Sequence, residues 1–317
     1  MCAGYAPSEP RISGCSVISV QGVCCVAAYA VLTKGGSAMD FTKTFADVLR
    51  AMLYRLLKSR MTLVFMLVLI ISIVYVIAGL KVIGANAALS ADVSATSSDI
   101  TLGLSVLVAG ASGVDFTRAC GMLFVRGSFI AMAVAVFCGV FFASDLRTGA
   151  VKNVILGHAG RFAYALAAGV CTLTMTAVAV LAGVVVSLVA LVASGFIVAA
   201  PDPMQFVCWI GEVWLSVTAY AVLAVVVALL SKSTVLAAIT GFLLGGAAVE
   251  NLLYSAIGLV TGHPNEVRAI FDGYLAVTVS QLGYGNVLPV DTLLPVLVTI
   301  VVAIAAGMLI ARRRSLA

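Results

Sequence analysis

The stretch Asp145–Arg161, DLRTGAVKNVILGHAGR, is a short polar island between two long apolar runs. Charge is scarce elsewhere in the chain, so a polar segment at this place predicts a connection that leaves the membrane between two spans. Its titratable side chains are Asp145, Arg147, Lys152, His158 and Arg161.

Inside the island, Val151, Val154 and Ile155 recur at the spacing of one helical face. Gly149 precedes them and Gly157 follows them. This pattern predicts a short amphipathic helix held between glycine breaks. A loop between two membrane spans rarely needs such a helix unless something docks on it, although an ordinary loop kept positive for topology would also be polar here.

The composition defines the class of protein. Hydrophobic residues make up 63% of the chain and charged residues only 10%. Several apolar runs exceed the ~18–20 residues that cross a bilayer, so the sequence predicts an all-α polytopic membrane protein. The net charge of +5 is explained by topology and argues against a nucleic-acid partner.

The apolar runs predict six transmembrane helices in a domain covering residues 61–317. The fifth run carries Gly241 and Gly245 at GxxxG spacing, which predicts close helix packing in preference to a dimer face. Trp209 and Trp214 are expected in an outer aromatic belt. The predicted spans are Thr62–Leu80, Gly121–Ala143, Ala163–Leu191, Phe206–Leu230, a span beginning at Thr234, and Asp291–Ala311.

Two segments precede the first span. Residues 1–38 are interpreted as an extension or start-site artefact that the fold does not need, although Val17–Leu32 is apolar enough for a signal or anchor. Residues 39–60 predict an amphipathic helix at the cytoplasmic surface, with its apolar side in lipid. The apolar stripe is Phe41, Phe45, Val48, Leu49, Met52, Leu53, Leu56 and Leu57.

The distribution of cations predicts that both termini are cytoplasmic. With six spans, only four cations fall on or near the outer side: Lys81, Arg118, Arg126 and Arg268. The cations placed inside are Lys43, Arg50, Arg55, Lys58, Arg60, Arg147, Lys152, Arg161, Lys232 and Arg312–Arg314. The predicted orientation therefore follows the positive-inside rule.

No catalytic constellation is recognisable. The sequence has no GxxxxGK[ST] loop, so the chain itself is not expected to hydrolyse ATP. The eight cysteines form no CxxC pair, and neither a metal site nor a disulfide is predicted.

Three ionisable residues fall within the predicted spans: Arg126, Glu212 and Glu250. A charge near the bilayer centre costs ~2.5–3.5 kcal/mol, so such side chains usually face protein or water. One interpretation is the polar lining of an export route. The favoured interpretation is a buried structural ion pair between Arg126 and one of the two glutamates.

The order Asp145, Gly149, Lys152–Asn153, Arg161 after a second span resembles the type 2 ABC transporter permeases, especially those for peptide-antibiotic export or immunity. The resemblance implies a coupling helix that touches a separate ABC ATPase, a second permease chain, membrane lipid around both, and a bacterial plasma membrane. ATP and magnesium would bind the ATPase, with no cofactor in this chain. The implied coupling residues are Asp145, Gly149, Val151, Lys152, Asn153, Val154, Ile155 and Arg161.

Two other functions remain open from the sequence. An ion-driven secondary transporter would need acidic groups at the midplane and broken helices in matching halves, and no convincing repeat is present. A membrane immunity or assembly protein could act by binding alone. The exported substrate, such as a peptide or a hydrophobic drug, is not specified by the sequence.

Overall fold

The computed structural model describes residues 38–89, 114–148, 158–195, 198–246, 248–261 and 275–313. The described chain is almost entirely helical. Its long elements are α1 (Ala38–Lys58), α2 (Arg60–Leu89), α4 (Phe129–Arg147), α5 (His158–Ala193), α6 (Pro203–Ser231) and α10 (Val290–Arg313). Its shorter helices are α3 (Phe116–Cys120), α7 (Thr234–Gly245), α8 (Ala248–Thr261) and α9 (Leu275–Leu282).

Within the described residues, five helices are long and apolar enough to cross a bilayer: α2, α4, α5, α6 and α10. They confirm a multi-pass, helical membrane protein. In the region of the predicted fifth span, the structure describes two helices, α7 (Thr234–Gly245) and α8 (Ala248–Thr261). The 12 residues of α7 extend roughly 18 Å, short of a hydrocarbon core of about 30 Å, so six crossings stay a prediction.

The predicted start of the second span is wrong. The chain from Phe116 forms the short helix α3, a π-helical turn (Gly121–Val125) and a 3-10 turn (Arg126–Ser128) before α4 begins at Phe129. Ser128 takes a left-handed conformation with φ of 58°, and Arg126 is extended with ψ of 135°. The helical hydrogen-bond ladder is therefore interrupted here, and Arg126 lies before the long helix and not inside it.

A pair of short strands holds the start of this segment before α4. Val114–Asp115 (β1) pairs in parallel with Val198–Ala199 (β2), which lies between α5 and α6. Asp115 and Asp202 then cap the following helices, accepting hydrogen bonds from the backbone N–H groups of Thr117 and Met204. The capping explains why helices restart at Phe116 and Pro203.

The centre of the bundle is α4 packed against α6 and α7. Gly241 and Gly245 of α7 lie directly on the α4 backbone, where a Cβ atom would come 2.7 Å from the Val136 nitrogen and 2.5 Å from the Met132 Cα. The GxxxG spacing thus serves helix packing within one chain, as predicted. By contrast, only 22% of the span residues of α2 and of α10 are buried, against 67% in α4 and α6.

The surface helix α1 packs on the protein, which corrects the expectation that its apolar stripe lies in lipid. Val48, Met52 and Leu56 are 6%, 6% and 1% exposed, and the helix lies against α5. A stripe at i, i+4 and i+8 can be covered by one neighbouring helix, and α5 provides that neighbour. The first described residues are therefore part of the folded bundle.

We expect Gly245→Val to destabilise the bundle by about 1–3 kcal/mol, because the added side chain would force α7 away from the α4 backbone. Thermal unfolding of the purified protein in detergent measures the loss. Gly211→Ala is the matched control, since a Cβ there meets nothing within 4 Å. Equal unfolding temperatures for the two variants would contradict the close approach.

Candidate functional site

The polar island begins at the end of α4, and the contacts there centre on Asp145. This residue lies in the last turn of α4 and is 5% exposed. The unsatisfied carbonyl groups at a helix C-terminus carry partial negative charge, so a buried carboxylate at this end is unfavourable without a cation.

Arg55 of α1 supplies that cation. Its guanidinium Nη2 donates to Asp145 Oδ1 in a direct ion pair, although the two residues are 90 positions apart in the chain. The Tyr164 hydroxyl donates a long hydrogen bond of 3.5 Å to the other carboxylate oxygen, Oδ2. Tyr164 is 2% exposed and lies in the first turns of α5. We call Arg55, Asp145 and Tyr164 the inner cluster, where "inner" denotes only this end of the bundle and "outer" the opposite end.

Local hydrogen bonds hold both ends of this cluster in place. Thr62, in the first turn of α2, donates to the Leu56 carbonyl and so fixes the corner between α1 and α2. The Thr148 hydroxyl donates to the Asp145 carbonyl at 3.1 Å and ends α4. These bonds satisfy carbonyl groups that a helix terminus leaves unpaired.

The inner cluster joins three elements at the base of residues 149–157. Asp145 is the last described member of the predicted coupling residues before the loop, and α5 begins immediately after it at His158. The predicted contact residues Gly149, Val151, Lys152, Asn153, Val154 and Ile155 lie outside the described residues. Arg161 lies in α5, but its side chain is also outside the described part.

Sequence analysis placed Arg55 among the cytoplasmic cations and did not identify its partner. One signal was available: Asp145 is an acid at the end of a long apolar helix and therefore needs a cation. The sequence contains several arginines and lysines that could have supplied this cation. The rotation of α1 on α5 decides the choice, and that rotation is a property of tertiary packing.

Two of the three charges predicted within the spans, Glu212 and Arg126, make contacts that the structure describes. Glu212, 6% exposed in α6, accepts a hydrogen bond from the Leu288 backbone N–H at 3.0 Å. The Arg126 guanidinium carbon lies 4.8 Å from the centre of the Tyr284 ring, a cation–π contact. The side chain of Glu250 is outside the described residues, so its pairing with Arg126 stays a prediction.

Trp209 is buried inside the bundle, so its predicted place in an aromatic belt is wrong, whereas that of Trp214 stays a prediction. Trp209 is fully buried and donates from Nε1 to the Leu282 carbonyl at 2.9 Å. Trp214 is half-buried and donates to the Leu173 carbonyl of α5 at 3.0 Å. Together with Glu212, Trp209 attaches residues 282–288 to α6, and we call this contact the outer staple.

A polar contact within the bundle joins α5 to α6 near Trp214. The hydroxyl groups of Thr176 and Thr218 lie 2.7 Å apart, and Trp214 Nε1 lies 3.1 Å from Thr176 Oγ1. Each hydroxyl also lies within hydrogen-bonding distance of a carbonyl of its own helix. Because each hydroxyl has one proton, one of them donates to the other hydroxyl and the second donates to its carbonyl. Among the residues that the structure describes, no three His, Cys, Asp or Glu side chains are grouped to hold a metal ion.

These elements define a multi-pass helical membrane protein with a charged cluster at one end of the bundle and a hydrogen-bonded staple at the other. No protein-family model matches the chain, and no curated protein matches its sequence.

We expect Arg55→Gln to destabilise the protein by about 2–3 kcal/mol, because it leaves the Asp145 carboxylate buried without its cation. The expected cost is below that of a fully buried pair because the Arg55 side chain is 41% exposed. Chemical unfolding in mild detergent measures the change.

The double variant Arg55→Gln, Asp145→Asn should recover part of the loss, because it removes both charges. Arg50→Gln is the matched control, since Arg50 is exposed on the same helix. Strictly additive single effects would show that the two side chains do not interact.

For the outer staple, we expect Glu212→Gln to be tolerated and Glu212→Leu to cost about 1–3 kcal/mol. Glutamine keeps an oxygen that can accept from Leu288 N–H, whereas leucine leaves that donor buried and unpaired. Unfolding of both variants, with and without Arg126→Gln, measures the effect. A large loss in Glu212→Gln that Arg126→Gln rescues would instead establish the predicted ion pair with Arg126.

Proposed function

We propose that this chain is the membrane subunit of an ATP-driven exporter that resembles the type 2 ABC permeases. In this proposal α7 and α8 together make the fifth of six crossings, and both termini lie in the cytoplasm of a bacterium. The chain transmits motion and shapes the export route, and a separate ABC ATPase binds ATP and magnesium.

The observation that carries the proposal is the inner cluster at the base of residues 149–157. In this proposal a force applied to the loop reaches α4 at Arg147, in the same turn as Asp145, and reaches α5 at His158. The ion pair from Asp145 to Arg55 carries the same displacement into α1. Three elements would therefore move together when an ATPase pushes on the loop, as a rigid lever requires.

The interior of the bundle supports transmission across the membrane. Thr176 and Thr218 link α5 to α6 by a buried hydrogen bond, and α6 holds residues 282–288 through the outer staple. Motion of α5 at the inner end thus has a continuous set of contacts to the outer layer. These contacts support coupling between the two ends of the bundle, and mutation of the contact residues tests that coupling.

The proposal includes a second permease chain, identical or related. Only 22% of the span residues of α2 and of α10 are buried within this chain. These two helices leave a wide apolar surface for lipid and for a neighbouring permease. An ion-driven mechanism has less support, because the acid in α6, Glu212, is bound to a backbone N–H of the outer staple.

We expect Val151→Asp, Ile155→Asp to leave membrane insertion intact and to uncouple export from ATP hydrolysis. The two residues lie outside the spans, and a charge in an apolar docking groove costs several kcal/mol. The permease is co-expressed with the ATPase from a neighbouring reading frame that carries a GxxxxGK[ST] loop. Co-purification of the ATPase and ATP-dependent export into vesicles are measured together.

The matched control is Ser231→Asp, Ser233→Asp, which adds two aspartates at the turn between α6 and α7 on the same side of the membrane. Ser233 caps α7 by accepting from the Leu236 backbone N–H, and aspartate can also cap a helix. This control should keep both ATPase binding and export. Persistence of both activities in the Val151, Ile155 variant would remove the loop as the coupling element.

A further inference from the structure

Packing against α5 determines which side of α1 faces away from the protein. Val48, Met52 and Leu56 are buried, and the opposite side of the helix carries Arg50 and Tyr54, with Leu57 and Lys58 one turn later. These four residues, from Arg50 to Lys58, occupy positions i, i+4, i+7 and i+8, so they lie on a single helical face. With Arg60 and Met61 in the next turn, we call these residues the basic edge.

The position of the basic edge relative to the bilayer follows from the chain connection. Only Ser59 separates α1 from α2, and the apolar stretch of the first span begins at Arg60. Leu63 and Val64, 66% and 61% exposed, begin the lipid-facing surface of that span. Lys58 and Arg60 therefore lie at the level where a span leaves the hydrocarbon and enters the head-group layer.

The exposed residues of this edge combine apolar and cationic groups. Tyr54 and Leu57 are 57% and 58% exposed, an arrangement that is unfavourable in water and favourable at a membrane interface. The Lys58 ammonium donates to the Tyr54 hydroxyl at 2.8 Å and lies 5.3 Å from its ring centre. This contact holds the ammonium beside the ring that would anchor in the interface.

The basic edge carries more positive than negative charge. Arg50, Lys58 and Arg60 form no ion pair with any side chain in the described part of the protein, whereas Arg55 is engaged by Asp145. Among the side chains that the structure describes in α1 and the following corner, the exposed acid is Asp47, which lies on the same face one turn before Arg50. The edge is therefore positive, apolar and aromatic at once, which complements an anionic lipid surface and not a protein groove.

We propose that the basic edge binds the anionic phospholipid head groups of the leaflet at the inner-cluster end, with Arg50, Lys58 and Arg60 contacting phosphates and Leu57 entering the acyl region. This contact is independent of any ATPase and holds whatever the protein transports. It makes the anionic lipid a structural partner of α1, on the side opposite to α5.

The experiment titrates phosphatidylglycerol into the purified full-length protein in neutral detergent at low salt. Thermal unfolding is followed by tryptophan fluorescence. A lipid that binds the folded state raises the unfolding midpoint, and salt should reverse an effect that depends on exposed charge. Arg50→Gln, Lys58→Gln should raise the lipid concentration for half-maximal stabilisation about 20- to 30-fold, at about fivefold per cation.

The matched control is Arg147→Gln, Lys232→Gln, which removes two cations elsewhere at the same end of the bundle and should keep the wild-type titration. Phosphatidylcholine and free glycerol phosphate should stabilise none of the proteins, the first lacking net charge and the second lacking acyl chains. If the double variant does not fold, Arg50→Gln and Lys58→Gln are titrated singly, each with a fivefold effect expected. Unchanged titrations in the edge variants, or equal losses in the control, would overturn the proposal.

Discussion

A carboxylate that is removed from water at the negative end of a helix needs a cation, and this requirement organises the inner end of the protein. Asp145 meets it through Arg55, which belongs to a helix 90 residues earlier in the chain. The pair therefore fixes α1 to α4, and Tyr164 adds the beginning of α5. The distant helix α1 and the consecutive helices α4 and α5 are therefore joined at this end, because the buried carboxylate requires a cation.

The outer end is held together by a different kind of interaction. There, indole and carboxylate groups of α6 bind the backbone of residues 282–288, and the contacts are hydrogen bonds without an ion pair among the described side chains. The glycines of this layer allow the close approach: a Cβ at Gly283 would lie 2.9 Å from the Arg126 Cβ. The inner end is held by an ion pair, which salt weakens, whereas the outer end is held by hydrogen bonds to backbone groups and by close backbone approach.

The sequence was sufficient for features that depend on local pattern. Long apolar runs predicted the helices α2, α5, α6 and α10, and the spacing of Gly241 and Gly245 predicted close packing. Predictions of features that depend on three-dimensional contact were wrong, or could not be made from the sequence. An apolar stripe on α1 looks the same whether lipid or α5 covers it, and a tryptophan near a span end does not reveal that its N–H reaches Leu282. The break before Phe129 was missed because the apolar residues 121–125 lie close to the apolar run of α4, and the polar interruption at residues 126–128 was read as part of one span.

That break has a mechanical consequence. A continuous helix transmits torque along its axis through its ladder of hydrogen bonds. Here the ladder is interrupted, because Arg126 is extended and Ser128 takes a left-handed conformation. A rotation of α4 about its axis would therefore pass through helical hydrogen bonds only from Phe129 to Arg147. Residues 114–125 are held separately, because β1 pairs with β2. The inner end of α4 could then turn relative to residues 114–125 without breaking the hydrogen bonds of a continuous helix.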